Sequence, residues 1–296
     1  MQTVARTATG SIFVGIVVLA LKAVAWRVTG SAALYSDALE TVVNVVASGL
    51  ALWAVKFAAQ PADYNHPFGH AKIEFIAAVV EGALIVVAAV SIFNHAYLTY
   101  LNPVVLHFPL QGMALNFAGT VLNAGWAGHL FRVARRTRSP ALRGDAWHLL
   151  ADVATGVGIL AGVGLVVKTG LLWIDPVIAG ATAIYVLASG LHLISQSMGA
   201  LMDMAPTDDT VTRIEKILGE SGSGAIEVHD LRVRGAGQLI FAQFHLVVPG
   251  AMSVNAAHDI CDRIEAALRD AMPHLVVNIH IEPEHKAKHD GAILLG

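Results

Sequence analysis

Residues 33–58 read ALYSDALETVVNVVASGLALWAVKFA. The stretch is long and apolar enough to cross ~30 Å of hydrocarbon as a helix. Yet its first half carries Asp37, Glu40 and Asn44. Carboxylates inside a membrane helix are costly, and by default they mark a functional site. This segment therefore predicts a membrane protein with chemistry inside its helices.

Working outward, further apolar runs lie near 10–29, 74–100, 110–131, 144–168 and 174–199. Pro61, Pro103, Pro109, Pro140, Pro176 and Pro206 fall between runs or at their ends, where a missing N–H costs little. The first run is long and has no obvious small-residue cleavage site, so it reads as a retained helix. Composition agrees. Of 296 residues, 55% are hydrophobic and 14% charged, against about 45–50% and about 25% in soluble domains. Intrinsic disorder is excluded. The single Cys261 excludes a disulfide scaffold, and a net charge of −3 gives no footprint for nucleic acid. Residues 206–296 hold 21 of the 41 charged side chains. The expected domains are thus a six-helix transmembrane domain over 1–205 and a soluble one over 206–296. Lysine and arginine set the orientation. Arg6, Lys56, Lys72, Arg132, Arg135, Arg136, Arg138 and Arg143 lie on one side, against Arg27 and Lys168 on the other. Both termini and the soluble domain are then cytoplasmic.

The soluble part predicts a helix at 208–219, strands at 226–234 and 239–248, a helix at 253–271 capped by Ser253, and a strand at 275–282. The fold class expected overall is a membrane all-α six-helix bundle followed by a small cytoplasmic α+β domain. That domain has the order α-β-β-α-β, ferredoxin-like or metallochaperone-like, with helices on one face of a three-stranded sheet.

The polar residues of the apolar runs repeat a pattern. Asp37-Ala-Leu-Glu40-Thr-Val-Val-Asn44 is matched by Asp145-Ala-Trp-His148-Leu-Leu-Ala-Asp152. Residues four apart share a helix face. Two such faces opposed offer Glu40, Asn44, His148 and Asp152, the count and chemistry of a divalent transition-metal site. The alternative is polar helix packing. Two carboxylates would balance a divalent ion in a low-dielectric setting. Taken literally, Glu40 and His148 differ in depth by roughly 10–15 Å at 1.5 Å per residue, which helix tilt must absorb. Asp37 reads as a buried partner or relay, with Lys22 as a candidate partner that can instead snorkel outward. Glu81 has no partner that sequence names.

Two further clusters lie outside the runs. Asp63, His66 and His70 sit in the loop after the second run, as a metal site or as solvated loop residues. The soluble domain holds half of the 14 histidines. His280 and Glu282 share one face of the last strand. His245 lies on the preceding strand, His229 on the first, and His258 one turn from Asp262. This pattern favours one or two bound metals. Cys261 reads as core. His274, His285 and His289 read as surface or tail, and His95, His107, His129 and His192 as interfacial.

Together these features resemble the cation diffusion facilitator family over almost the whole chain. The specific pieces are Ser36-Asp-Ala-Leu-Glu40-Thr-Val-Val-Asn44, His66-Pro-Phe-Gly-His70-Ala-Lys72-Ile-Glu74, His148-Leu-Leu-Ala-Asp152 and Val228-His229-Asp230-Leu231-Arg232. The resemblance implies a homodimeric, proton-coupled exporter of divalent metal, an antiporter rather than an enzyme, in a bacterial inner membrane. It implies a transport site of Glu40, Asn44, His148 and Asp152, and a loop site of Asp63, His66 and His70. It also implies a cytoplasmic site of His229, His245, His258, His280 and Glu282 near the dimer interface, and a salt bridge between Lys72 and Asp203. The chain departs from the family's zinc members at the second run, where Glu40 and Asn44 replace the usual Asp or His followed by Asp. His148 favours zinc, iron, cobalt or nickel over manganese; the expected ion is Zn2+, with Fe2+, Co2+, Cd2+ and Mn2+ as alternatives. A rival function is a membrane-anchored metal sensor or scaffold that binds without transporting. An intramembrane metallohydrolase is disfavoured, because the chain has no His-Glu-x-x-His sequence.

Overall fold

The structure, a computed structural model, describes residues 2–137, 140–237 and 239–295. The side chains of Arg6, Arg138 and Arg143, which contribute to the orientation argument, lie outside the described residues. The chain divides into two compact units, Met1–Trp53 with Ala77–Ile194 and Ala54–Ile76 with Ser195–Gly296.

Six long helices come first: α1 (Gln2–Thr29), α2 (Ala32–Ala58), α3 (Ile73–Leu101), α4 (Pro109–Thr137), α5 (Pro140–Thr169) and α6 (Ile174–Leu201). Pro109 and Pro140 each open a helix, where the missing N–H and fixed φ cost nothing. All six extend beyond the apolar runs that predict them; in α1, α4 and α5 polar end residues continue the helix. Five are long and apolar enough to cross a membrane. The exception among the described residues is α4, so the expectation of six spans holds for helix number but not for composition. The reason lies in its inward face: Asn116, Thr120 and Asn123 are buried, and α4 packs closely against both α1 and α5.

Small residues let the helices approach. A Cβ at Gly82 of α3 would come within 2.6 Å of Ile194, and one at Gly190 of α6 within 2.8 Å of Ile85. Outward faces are apolar, with Val87, Phe93, Phe117 and Ile184 exposed. Such a surface suits lipid rather than water.

The soluble domain contains α7 (Asp208–Ser221), β1 (Glu227–Ala236), β2 (Leu239–Val248), α8 (Val254–Ala271) and β3 (Leu275–Pro283). Ser253 caps α8 through the Ala256 N–H, as expected. Three strands were expected, but a short β4 (Ile293–Leu294) adds a fourth. The sheet order is β3-β2-β1-β4, with β2 and β3 parallel and the other pairs antiparallel. Ile214 and Leu218 of α7 and Ile260, Ile264 and Leu268 of α8 pack on Phe244 and Leu246. Cys261 is buried in this core, as read from sequence. One sheet face is thus closed by helices, and the other carries Gln243, His245, Asn278 and His280.

Candidate metal centres

Within the helical unit, Glu40, Asn44, His148 and Asp152 line one cavity of about 80 Å3, together with Thr155 and Ser189. The helix pairs therefore meet at a common depth, and the apparent offset of Glu40 and His148 does not separate them. The Asn44 amide donates to Asp152 Oδ2 at 3.1 Å. Asp152 is buried, and Glu40 Oε2 is buried without a hydrogen-bond partner. Buried polar atoms are nearly always satisfied, so an orphaned carboxylate oxygen in this cavity suits a cation. Behind the cavity, Lys22 Nζ donates to Asp37 Oδ1 at 2.7 Å, and Asn116 Nδ2 donates to Asp37 Oδ2. Lys22 and Asp37 are each 1% exposed. Lys22 does not snorkel, because a buried partner neutralises it. Asp145, one turn before His148, accepts from Ser11 at 2.8 Å.

In the loop, Asp63, His66 and His70 present ligand atoms within 4.8 Å of one another. His66 Nδ1 lies 3.0 Å from Asp63 Oδ1, and His70 Nε2 lies 3.1 Å from His66 Nδ1 and 3.4 Å from Asp63 Oδ2. Asp63 also accepts from the backbone N–H groups of His66 and Asn65. These bonds, that of His66 first, hold its carboxyl below the usual range. It is thus ionised and oriented by its own turn. Nearby, Lys72 Nζ reaches Asp203 Oδ1 at 2.8 Å, and Arg234 Nη1 reaches the same oxygen at 3.2 Å. The bond from Lys72, then that from Arg234, lowers the Asp203 pKa.

On the open sheet face, register builds the third cluster. His229 pairs with His245 across β1 and β2, and His245 with His280 across β2 and β3. Three imidazoles thus stand in one row, with ring centroids 5.2 Å and 4.9 Å apart. Glu282 lies below them, 3.2 Å from His229 Nε2, 3.5 Å from His245 Nδ1 and 3.7 Å from His280 Nε2. His229 Nε2 is buried and not aligned in any hydrogen bond. Its Nδ1 lies 3.0 Å from Glu227 Oε1. A carboxylate on Nδ1 orients the ring and leaves Nε2 free for a cation.

Sequence reasoning missed two contributors. Asp230 joins His229 and His245 in a set whose ligand atoms lie within 4.8 Å. It sits at a β-bulge between His229 and Arg232, with φ 51°; the bulge re-aims its side chain. Glu227 is fully buried, and nothing in its spacing signals that. Burial pushes the Glu227 pKa up, but bonds from Lys288, His229 and His289 offset this and hold the carboxyl below its usual range. One expected ligand is not brought to the cluster. His258 lies on α8, where its side chain is 69% exposed beside Asp262 at 3.7 Å. The helix commits Ala257, Ile260, Cys261 and Ile264 to the core, so position 258 turns to solvent. His289, read as surface or tail, is exposed and places Nδ1 3.1 Å from Glu227 Oε2.

A family model described as the cation efflux transmembrane domain matches residues 8–202, and one described as the cation efflux protein cytoplasmic domain matches 206–284. The uncharacterized transporter sll1263 of Synechocystis sp. is 39% identical over 273 residues, covering 92% of this chain and 88% of the relative. The cation-efflux pump FieF of Serratia proteamaculans is 32% identical over 267 residues, covering 90% and 88%. A solved structure of CzrB in its zinc form is 45% identical over 29% of this chain and 99% of its own, with a TM-score of 0.28. Matched along both its helical and its soluble parts, the chain belongs to the cation diffusion facilitator family and is an integral membrane cation-efflux transporter.

Proposed function

We propose that this protein exports a divalent transition-metal ion from the cytoplasm in exchange for protons, with zinc as the favoured substrate. The reading is carried by the cavity that Glu40, Asn44, His148 and Asp152 line inside the helical unit. Metal binding there requires a neutral imidazole and ionised carboxylates. Protons and metal therefore compete for Glu40, His148 and Asp152, and exchange follows from ligand chemistry. The His148 imidazole among oxygen donors favours zinc, iron, cobalt or nickel over manganese. Asn44 cannot take a proton; it orients Asp152 and offers its own oxygen if the amide turns. Asp37, paired with Lys22, is a relay one turn from Glu40.

The working unit is a homodimer with both termini in the cytoplasm of a bacterial inner membrane, and its domains are 1–205 and 206–296. Asp63, His66 and His70 bind a second metal. His229, His245, His280 and Glu282 bind one or two more in the cytoplasmic domain and bias the transport cycle by linkage. Lys72 and Asp203 tie the membrane helices together below the bilayer. The test is metal flux into proteoliposomes under a pH gradient. Wild type should move zinc only with the proton gradient imposed. Tight metal binding with flux no faster than in empty liposomes would instead favour the sensor or scaffold reading.

Metal choice should turn on the second helix. Asn44→Asp adds a charge and a proton acceptor, and Glu40→Asp shortens the ligand by one methylene. Each should change the zinc-to-cadmium or zinc-to-iron rate ratio by roughly tenfold, the scale of an altered ligand environment. Unchanged ratios in both would remove these two positions from the selectivity argument.

A further inference from the structure

The chain's last segment is fastened over the cytoplasmic cluster at both ends. A short 3-10 turn (Glu284–Lys286) follows β3, and β4 pairs with the start of β1. Leu295 is buried in the domain core, and its N–H donates to the Ile226 carbonyl at 3.0 Å. Between these anchors, the Lys288 N–H donates to Glu227 Oε1 at 2.7 Å and the His289 N–H to Glu227 Oε2 at 3.2 Å. His289 adopts φ 61°, a left-handed conformation uncommon outside glycine. Beside it, the Lys288 side chain reaches Asp230. Its Nζ donates to both oxygens of Asp230, at 2.9 Å and 2.7 Å. Residues 285–296 lie beyond the stretch that the cytoplasmic family model matches.

We propose that Lys288 is a tethered competitor for the cytoplasmic metal site, and that a divalent ion binding Asp230 with His229 and His245 must displace its ammonium. This rests on the metal-binding reading of that cluster. The physical case is one of shared charge. Asp230 has two oxygens, and the ammonium engages both. A cation within coordination distance of Asp230 would stand close to the ammonium, and like charges at that separation repel. Binding therefore exchanges one cation for another on the same carboxylate. The exchange lowers metal affinity and frees Lys288 while β4 and Leu295 keep the segment docked. The site then answers to a higher metal concentration than its ligands alone would set.

The experiment uses the full chain in detergent and reads zinc binding by calorimetry in wild type, Lys288→Met, Lys288→Arg and His245→Ala. Beside it, acylation of Lys288 by an amine reagent is followed by mass spectrometry with and without zinc. Lys288→Met should tighten the cytoplasmic site by roughly two- to fivefold, the worth of a partly exposed ion pair. Lys288→Arg should bind as wild type does. Saturating zinc should raise the acylation rate of Lys288 in wild type but not in His245→Ala. If His245→Ala loses no binding event, the metal-binding reading of the cluster is wrong. If His245→Ala loses one but Lys288→Met binds like wild type, or zinc leaves Lys288 acylation unchanged, the competitor proposal is overturned and the cluster stands.

Discussion

Glu40, Asn44, His148 and Asp152 reach one cavity from two helices, whereas His229, His245 and His280 stand side by side on three strands. The ligand types overlap, but the scaffolds do not. In the first centre, each helix holds its own pair by i, i+4 spacing, and side-chain packing with the Asn44–Asp152 hydrogen bond sets one pair against the other. A small slide or tilt of either helix opens or closes the set. In the second centre, a backbone ladder fixes the spacing between neighbouring imidazoles at one strand separation. The contrast teaches where motion belongs. A site that must bind and release on opposite faces gains from movable pairs, and a site that reports concentration gains from a fixed row.

Counter-charges divide along the same line. Lys22 neutralises Asp37 in full burial, so that pair is a permanent part of the helical unit. Lys288 engages Asp230 at a surface where its side chain is half exposed, so that pair can exchange.

The sharpest way to break the comparison is to remove one ligand from each centre. Asp152→Ala should reduce zinc flux in proteoliposomes by 100-fold or more, on the order of losing a direct ligand rather than its support. His245→Ala should leave flux at saturating zinc within about fivefold, since a linkage effect of ~1 kcal/mol has that scale. Equal loss in both variants would collapse the distinction between transporting and reporting centres.

Next in size is the buried pair. Asp37→Asn leaves Lys22 charged and unpaired, which should cost ~3–5 kcal/mol of stability, read as a lowered unfolding midpoint in detergent. Pairing it with Lys22→Met should recover most of that loss. A single variant as stable as wild type would mean the lysine finds water or another partner.

The smallest effect concerns Asp203. Its folded-state pKa is depressed, so its stabilising contribution is complete above the ordinary carboxylate value of about 3.9 and is lost only as pH falls through the lower folded value. Asp203→Asn should therefore lower the unfolding midpoint by the same small amount at pH 8 and pH 5, worth ~0.2–1 kcal/mol for a partly exposed pair. A difference from wild type that vanished by pH 5 would contradict the depressed pKa.

Much of this was legible in the chain. The prolines punctuated the helices because their missing N–H is tolerated only at helix ends. The duplicated spacing of Glu40 with Asn44 and His148 with Asp152 marked both candidate pairs because 3.6 residues per turn brings positions four apart together. The polar face of α4 is also written in Asn116, Thr120 and Asn123, inside a run that otherwise looks apolar. His258 enters the ligand set only through the family resemblance, while the apolar stripe of 257, 260, 261 and 264 commits that residue to solvent.

Periodicity along the chain sets the local content: which segments are helices and strands, which face of each is apolar, and which candidate ligands ride on each. Packing sets how separate segments register. It brings two helical pairs to one depth, aligns three histidines across the sheet, turns Asp230 toward His229 and His245 at a bulge, and folds Lys288 and His289 back onto Glu227. The physical reason is that spacing along one element is set by backbone geometry. Spacing between elements is set by packing and ladder hydrogen bonds that no short stretch of sequence contains.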